Sequence, residues 1–467
     1  MVDLRDEAVA SEGSLVKVVL IASVAAVGGF LFGYDTAVIN GAVGALQTVF
    51  QAGDVAIGLS VSAALLGSAI GAFVGGQLAD RLGRIRTMVV ASLLFSVSAV
   101  GSGLAFGLVT FSLWRLVGGV AVGIASVIAP AYIAEIAPAH LRGRLGSLQQ
   151  LAIVVGIFSA LLVDYGIANA AGGAANPLWL GLGAWRWMLI SALPVSLLYG
   201  VGALMIPESP RYLVAKKRDD KARAVLRSII GSAAEAKVEE IRQSFASAHT
   251  SRFSDLRGRL GLLPVVWVGI GLSVFQQLVG INVIFYYSSV LWQAVGFSER
   301  DSLAITVITS LTNILTTFIA IATVDRFGRK PLLIIGSVGM TLTLGTMAWV
   351  FGTAGVDASG NPVLEGSSGT VALVSANLYV FCFGMSWGPV TWVLLGEMFN
   401  NQIRAHALAL AASMQWIANF AVSATFPGLR TAGLGLAYGL YAGSALASLF
   451  FVLVFIRETK GRELEDM

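Results

Sequence analysis

The stretch Asp80-Arg81-Leu82-Gly83-Arg84 returns as Asp325-Arg326-Phe327-Gly328-Arg329, 245 residues further along the chain. Both copies stand between long apolar runs, so each reads as a tight charged turn joining two helices. A second pair repeats in the same order. Glu135 stands seven residues before Arg142 and Glu397 seven before Arg404, here 262 residues apart. The 17 extra residues fit a longer loop around 357–369. Glu208 and Glu458 make a third echo. One match is weak, but ordered recurrence makes the chain two copies of one plan.

Working outward from those turns, the apolar runs set the architecture. A membrane-spanning helix needs about 20 mostly apolar residues. Twelve segments meet that demand: 16–40, 57–79, 87–107, 110–132, 147–168, 184–206, 262–292, 303–324, 332–352, 372–397, 405–426 and 433–456. The expected fold is an all-α polytopic membrane protein with 12 transmembrane helices in two six-helix bundles. Its parts are an N-terminal bundle over 1–210, a linker over 211–260, and a C-terminal bundle with a short tail over 261–467. Pro207 and Pro210 punctuate the end of the sixth segment. Beyond them Leu213, Ala222, Leu226, Ile229 and Ile230 recur at helical spacing among charges, predicting two or three short linker helices.

Charge placement gives an orientation. With the N-terminus inside, the inner loops and ends hold 26 of the 30 Lys and Arg residues, 12 of them in 211–259. Arg300 and Arg430 fall outside, and Arg115 and Arg186 lie in or beside spans. This positive-inside bias places both termini in the cytoplasm and the chain in the cytoplasmic membrane.

Composition excludes the other classes. Of the 467 residues 56% are hydrophobic and 12% charged, about half the charged share of a soluble domain. A soluble enzyme and a disordered chain are both ruled out. One cysteine, Cys382, excludes a disulfide scaffold. The net charge of +4 sits mainly in short turns and makes no nucleic-acid surface. The first apolar run lacks a clear cleavage site and reads as a span, not a signal peptide. His140, His249 and His406 are dispersed, so neither a metal site nor catalysis is expected. No GxxxxGK[ST] nucleotide loop is present. Gly67, Gly71 and Gly75, with Gly119 and Gly123, instead mark close helix packing.

The polar residues inside the spans carry the functional reading. Asp35 lies about 18 positions into the first span, roughly 27 Å along it at ~1.5 Å per residue. Arg115 enters the fourth span from outside and sits about five positions deep, at a similar level of the ~30 Å core. Intramembrane ions are functional by default, since uncompensated burial is expensive. The plain alternative is a static ion pair; the sharper reading is a proton site tuned by access and partner distance. A second, uncharged group comprises Gln150, Gln276, Gln277, Asn282, Asn313, Trp392, Gln415 and Asn419. A break near Gly280 would gather those of the seventh span, and Gln415 and Asn419 share a face at a spacing of four. Amides donate and accept at once, matching sugar hydroxyls, and an indole offers a flat surface to a sugar ring. Each amide alone serves equally well as an interhelical bond; the collection favours a neutral polar solute.

At this point the chain resembles the sugar-porter branch of the major facilitator superfamily, and is closest in pattern to bacterial xylose– and glucose–proton symporters. The resemblance runs from about residue 17 to 463 and rests on Phe32-Gly33-Tyr34-Asp35, the two Asp-Arg turns, Pro207-Glu208-Ser209-Pro210-Arg211, Gln276-Gln277 through Asn282, Trp387-Gly388-Pro389 and Gln415-Trp416. It implies the major facilitator fold, no enzyme activity, no cofactor, and sugar contacts at the eight polar residues named above. It also implies proton coupling at Asp35, where facilitators commonly carry asparagine, with Arg115 as partner. Glu135, Arg144, Glu208, Arg211, Glu397 and Arg404 match its cytoplasmic gate, alongside Asp80, Arg84, Asp325, Arg329 and Glu458. The chain departs from the family at Arg457, where the terminal motif carries proline, and at Ala405, where glycine is usual.

The expected activity is proton-coupled symport of a neutral monosaccharide, glucose, xylose or similar, into the cytoplasm by alternating access. Expected partners are the monosaccharide, a proton and membrane lipids, with the chain working as a monomer. The alternatives are a facilitative uniporter, in which Asp35–Arg115 is only structural, and a non-transporting membrane sugar sensor.

Overall fold

The computed structural model describes residues 4–137, 142–247, 253–259, 261–356, 362–364, 366–399 and 403–459. Twelve helices among them are long and apolar enough to cross a membrane. The first six are Leu15–Val49, Asp54–Leu82, Arg84–Gly103, Leu108–Ile136, Leu148–Ala171 and Ala184–Met205. The second six are Pro264–Ala294, Glu299–Val324, Arg329–Thr353, Ser368–Met398, His406–Ala432 and Leu434–Phe455. An even number of spans brings both chain ends to one face, with the linker; this is the terminal face below, and the other is the distal face. A two-stranded antiparallel hairpin, Gly355–Val356 with Pro362–Val363, lies beyond the ninth span.

Several spans outrun the apolar segments that announce them. The first continues to Val49 instead of stopping near 40, through a turn at Val38. Polar residues in that extension do not end the helix because a neighbouring helix satisfies them: Asn40 is fully buried and hydrogen-bonded to the seventh span.

Glycine brings the second and fourth spans together. A side chain at Gly119 would collide with the Ala64 carbonyl, and one at Gly123 with the Ser68 carbonyl. In return Gly67 faces the Leu116 carbonyl and Gly71 that of Val120. In lipid no hydrophobic drive presses helices together, so this backbone-to-backbone contact carries the packing.

Three other spans are broken. The sixth is interrupted at Ser191, the tenth at Met385 and Ser386, and the seventh between Leu278 and Ile281. Gly280 sits in the last break at φ +82, a conformation that favours glycine. A side chain there would also press on the Tyr441 ring at 2.8 Å. The Tyr379 hydroxyl donates to the Val279 carbonyl at 2.7 Å, satisfying an acceptor at the break.

The linker folds as three short helices, Pro210–Ala215, Asp219–Ile230 and Ala234–Ser247. Ser209 caps the first, accepting from the Tyr212 amide, with Pro210 at the opening position. Leu213, Val214, Ala222, Leu226, Ala234 and Val238 make a small core of their own. Arg223 bonds Glu235 at 2.6 Å and holds that carboxyl below the usual carboxylate range.

Gly119→Val forces the second and fourth spans apart. Overpacking of this kind costs about 1–3 kcal/mol, and the obstacle here is backbone that cannot rotate away. A fall in thermal stability in detergent and in membrane yield is expected; wild-type behaviour of both counts against this packing.

Candidate functional site

Asp35 and Arg115 meet in the interior of the first bundle. Arg115 Nη1 lies 3.1 Å from Asp35 Oδ2, and both residues are buried, at 2% and 6% exposure. The N–H is off the axis of an aligned hydrogen bond, so the attraction is Coulombic. Arg115 Nη2 also donates to the backbone carbonyl of Asp35 at 3.1 Å. The arginine therefore keeps one acceptor whatever the charge of the carboxyl.

The amides of the second bundle converge across the two broken helices. Gln276 donates to the carbonyls of Trp387 and Gly388, at 3.0 and 3.2 Å, at the start of the tenth span's second segment. Its side-chain oxygen accepts from Gln415 and from Gln277. Asn282 reaches back across the Gly280 break to Gln277 at 2.6 Å. The break thus brings Gln276, Gln277, Asn282 and Gln415 into one network. Asn419 lies beside the Tyr286 hydroxyl at 3.5 Å and accepts from Ser423. Gln415 Oε1 receives no protein hydrogen bond, which leaves it free for a solute hydroxyl.

The remaining predicted contacts stand outside that network. Asn313 is buried on the eighth span, against Gly384. Trp392 is 41% exposed, and Gln150 is half-buried. The residue next to it, Gln149, is the more deeply buried, with its amide packed on the backbone of Gly29. Sequence offers the pair Gln149-Gln150, but only the helix phase decides which one turns inward. Sequence reasoning names Phe32 and Trp416 only within motifs, whereas their rings meet at 5.3 Å across the two bundles, and it passes over Asp164, fully buried in the fifth span.

At the terminal face the repeat becomes geometry. Arg84 grips Glu135 with two bonds of 3.0 and 2.9 Å and touches Asp80 at 3.3 Å. Arg329 grips Glu397 in the same way, at 3.0 and 2.7 Å. Glu208 accepts from the Arg84 and Ile85 amides, and Glu458 from those of Arg329 and Lys330. Each glutamate caps the helix that follows a turn glycine, Gly83 at φ +97 and Gly328 at φ +93. Each glycine leaves room for that carboxylate. Acid–arginine pairs thus join helices within each bundle, and among the described residues none of these pairs crosses between bundles. Arg211 is exposed at the start of the linker. The side chains of Arg144, Asp325 and Arg404, like His140 and His249, lie outside the described residues.

Hydrogen bonds between the bundles gather instead toward the distal face. Asn40 donates to the Phe285 carbonyl and to Ser288, and Ser289 donates to Asn40. Asp54 receives Arg430 at 3.1 Å, Thr431 at 2.6 Å and Gln47 at 2.8 Å. Glu299 accepts from the Ala174 amide at 2.9 Å. These contacts latch the distal side.

Residues 21–467 match the family described as "Sugar (and other) transporter". The chain belongs to that family. The transporter is 62% identical to the glucose transport protein of Synechocystis, over 96% of this chain and 97% of that one. It is 39% identical to the D-xylose-proton symporter of Escherichia coli, over 96% and 94%. Among solved structures it matches the partially occluded inward-open conformation of the Escherichia coli xylose transporter with a TM-score of 0.83 and 38% identity, covering 96% of this chain and 100% of that chain. The proton:xylose symporter bound to 6-bromo-6-deoxy-D-glucose matches at 0.79 and 38%, covering 97% and 98%. The transporter thus has the major facilitator fold, is a multi-pass membrane protein, and stands among transporters instead of enzymes.

Asp54→Asn weakens the distal latch. Partly exposed ion pairs contribute roughly 0.2–1 kcal/mol each, so a shift of a few-fold toward opening is expected. A cysteine at Val43, which lines the cavity beside Asp54, reacts faster with an impermeant thiol reagent in this variant. An unchanged labelling rate removes the latch role.

Proposed function

We propose that the chain imports a neutral monosaccharide together with a proton by alternating access, with the terminal face in the cytoplasm of a cell whose cytoplasmic membrane it spans. The observation that carries this reading is the buried Asp35–Arg115 pair in a chain whose relatives include a named proton symporter. The Lys and Arg asymmetry supports the orientation. The chain acts as a monomer surrounded by lipid, in two bundles joined by the 211–260 linker.

The pair does the coupling as follows. Removing one partner of a buried ion pair costs about 3–5 kcal/mol, because the other charge is stranded. Protonation of Asp35 avoids part of that cost, since Arg115 still donates to the Asp35 carbonyl. Neutral Asp35 loosens the first span from the fourth and permits passage inward with sugar bound. On the inner side sugar leaves, the carboxyl loses its proton, and attraction to Arg115 resets the bundle. The membrane potential contributes roughly 2.3 kcal/mol per charge per 100 mV.

Sugar is held by Gln276, Gln277, Asn282 and Gln415, joined by Gln150, Asn313, Trp392 and Asn419. Their amides supply both donors and acceptors in a fixed frame, and Trp392 supplies a flat face for ring C–H groups. Asp80, Arg84, Glu135, Glu208, Asp325, Arg329, Glu397 and Glu458, with Arg144, Arg211 and Arg404, govern the cytoplasmic side.

Asp35→Asn is expected to abolish uphill accumulation in proteoliposomes while keeping binding and exchange of labelled sugar. Normal uphill uptake by this variant contradicts the coupling site, and sugar flux without proton movement in the unaltered protein decides for a uniporter. Gln276→Ala removes a buried hydrogen-bonding group worth about 1–3 kcal/mol, so the KM for the preferred sugar rises roughly ten- to a hundred-fold. A competition panel of sugars identifies that substrate; an unchanged KM places the sugar elsewhere.

A further inference from the structure

Asp164 lies within the fifth span, Leu148–Ala171, and is 0% exposed. Its Oδ2 accepts the Gly41 amide at 3.1 Å, while Oδ1 has no hydrogen-bond partner. The cradle is made by glycine: a side-chain carbon at Gly41 would stand 2.7 Å from the Asp164 carboxyl carbon. The first span therefore lays bare backbone on a buried acid.

The charged and titratable groups on the packed elements are engaged elsewhere. On the fourth span Arg115 is paired with Asp35 of the first. Tyr34 of the first span, within electrostatic range of Asp164, bonds Ser191 at 2.6 Å. Arg186 of the sixth span donates to the carbonyls of Gly103 and Ala105. At the distal end of the eighth span Glu299 takes the Ala174 amide, Arg300 engages Tyr165 of the fifth span, and Asp301 bonds Ser298. Among the described residues no cation pairs with Asp164. An ionised carboxylate there would hold a full charge against one backbone donor, whereas a neutral acid leaves at worst one unsatisfied polar atom, a far smaller cost.

We propose that Asp164 is a second proton-binding site, separate from Asp35, which takes its proton from the distal side as the first and seventh spans close on each other. The link is direct in sequence. Gly41 follows Asn40, whose side chain and carbonyl hold Phe285, Ser288 and Ser289 of the seventh span. Parting those spans shifts the Gly41 backbone from the carboxyl and admits water, and the acid ionises. Closure then consumes a proton at Asp164, and reopening returns it to the same side. The ratio of protons to sugar carried is set at Asp35; Asp164 sets how readily the distal side closes at a given external pH.

This inference rests on the alternating-access reading, and the test separates the two. Counterflow of radiolabelled D-glucose is measured in proteoliposomes containing Asp35→Asn, which removes the coupling carboxyl. Exchange in that variant is expected to slow several-fold as the external medium goes from mildly acidic to alkaline. In Asp35→Asn/Asp164→Asn the slope disappears, because asparagine is permanently neutral. An identical slope in both variants overturns the proposal. Infrared spectroscopy of the Asp35→Asn protein carrying carbon-13-labelled aspartate reads the proton without any transport. A protonated-carboxyl carbonyl band is expected to persist at alkaline pH while the distal side is shut; its absence also overturns the proposal. Should no sugar of the competition panel show counterflow in the unaltered protein, the transport reading fails, and the infrared measurement still decides on Asp164.

Discussion

A charge held away from water inside a membrane must find its counter-charge in the protein, and this constraint organises the transporter. Arg115 and Asp35 satisfy one another at 3.1 Å from two different helices. The contact between the first and fourth spans is consequently sensitive to the charge of that carboxyl. Away from the Arg329–Glu397 pair at its terminal face, the second bundle shows no such ion pair among the described residues. Its polar interior is built from amides that need no counter-charge. The proposed function thus divides the labour: one bundle responds to a proton, and the other presents neutral donors and acceptors to a neutral solute.

The terminal face solves a different problem, how to keep each bundle rigid while the two move. Gly83 and Gly328 take the same left-handed turn, and Glu208 and Glu458 cap the helix that follows. Arg84 and Arg329 then clamp Glu135 and Glu397. Two-bonded arginine–carboxylate pairs hold geometry as well as charge. Each set ties loops of one bundle to each other, so a bundle tilts as a body without losing its own contacts. The latch at Asp54 and Arg430 lies at the other end, where a bridge between bundles is compatible with an open terminal side.

Much of this was legible in the sequence. The twelve spans, the repeat and the pairing level of Asp35 with Arg115 follow from hydropathy, spacing and helical rise, all of which are one-dimensional. The break at Gly280 was open to the sequence as well, because a break there would gather amides spaced unevenly along one span. Interiors set by helix rotation were not. Whether Gln149 or Gln150 turns inward depends on phase, and hydropathy is nearly blind to phase when every face of a helix is apolar. Asp164 sat unremarked in an apolar run because its partner is a backbone amide, which leaves no residue type for a pattern to detect. The distal latch joins Asp54 to Arg430, far apart in the chain, and only the fold brings them together.

The first and seventh spans are interrupted at Val38 and Gly280, and their distal segments carry the contacts that close the distal side. The amides that gather around Gln276 lie at the seventh-span break. A solute bound to those amides therefore acts on the same joint that positions the distal segment. On the proposed reading the carboxyls at Asp35 and Asp164 act on the first span from either side of Val38. Solute and proton thus meet at one closure without touching each other, and coupling between them requires only that both favour the same position of two short helices.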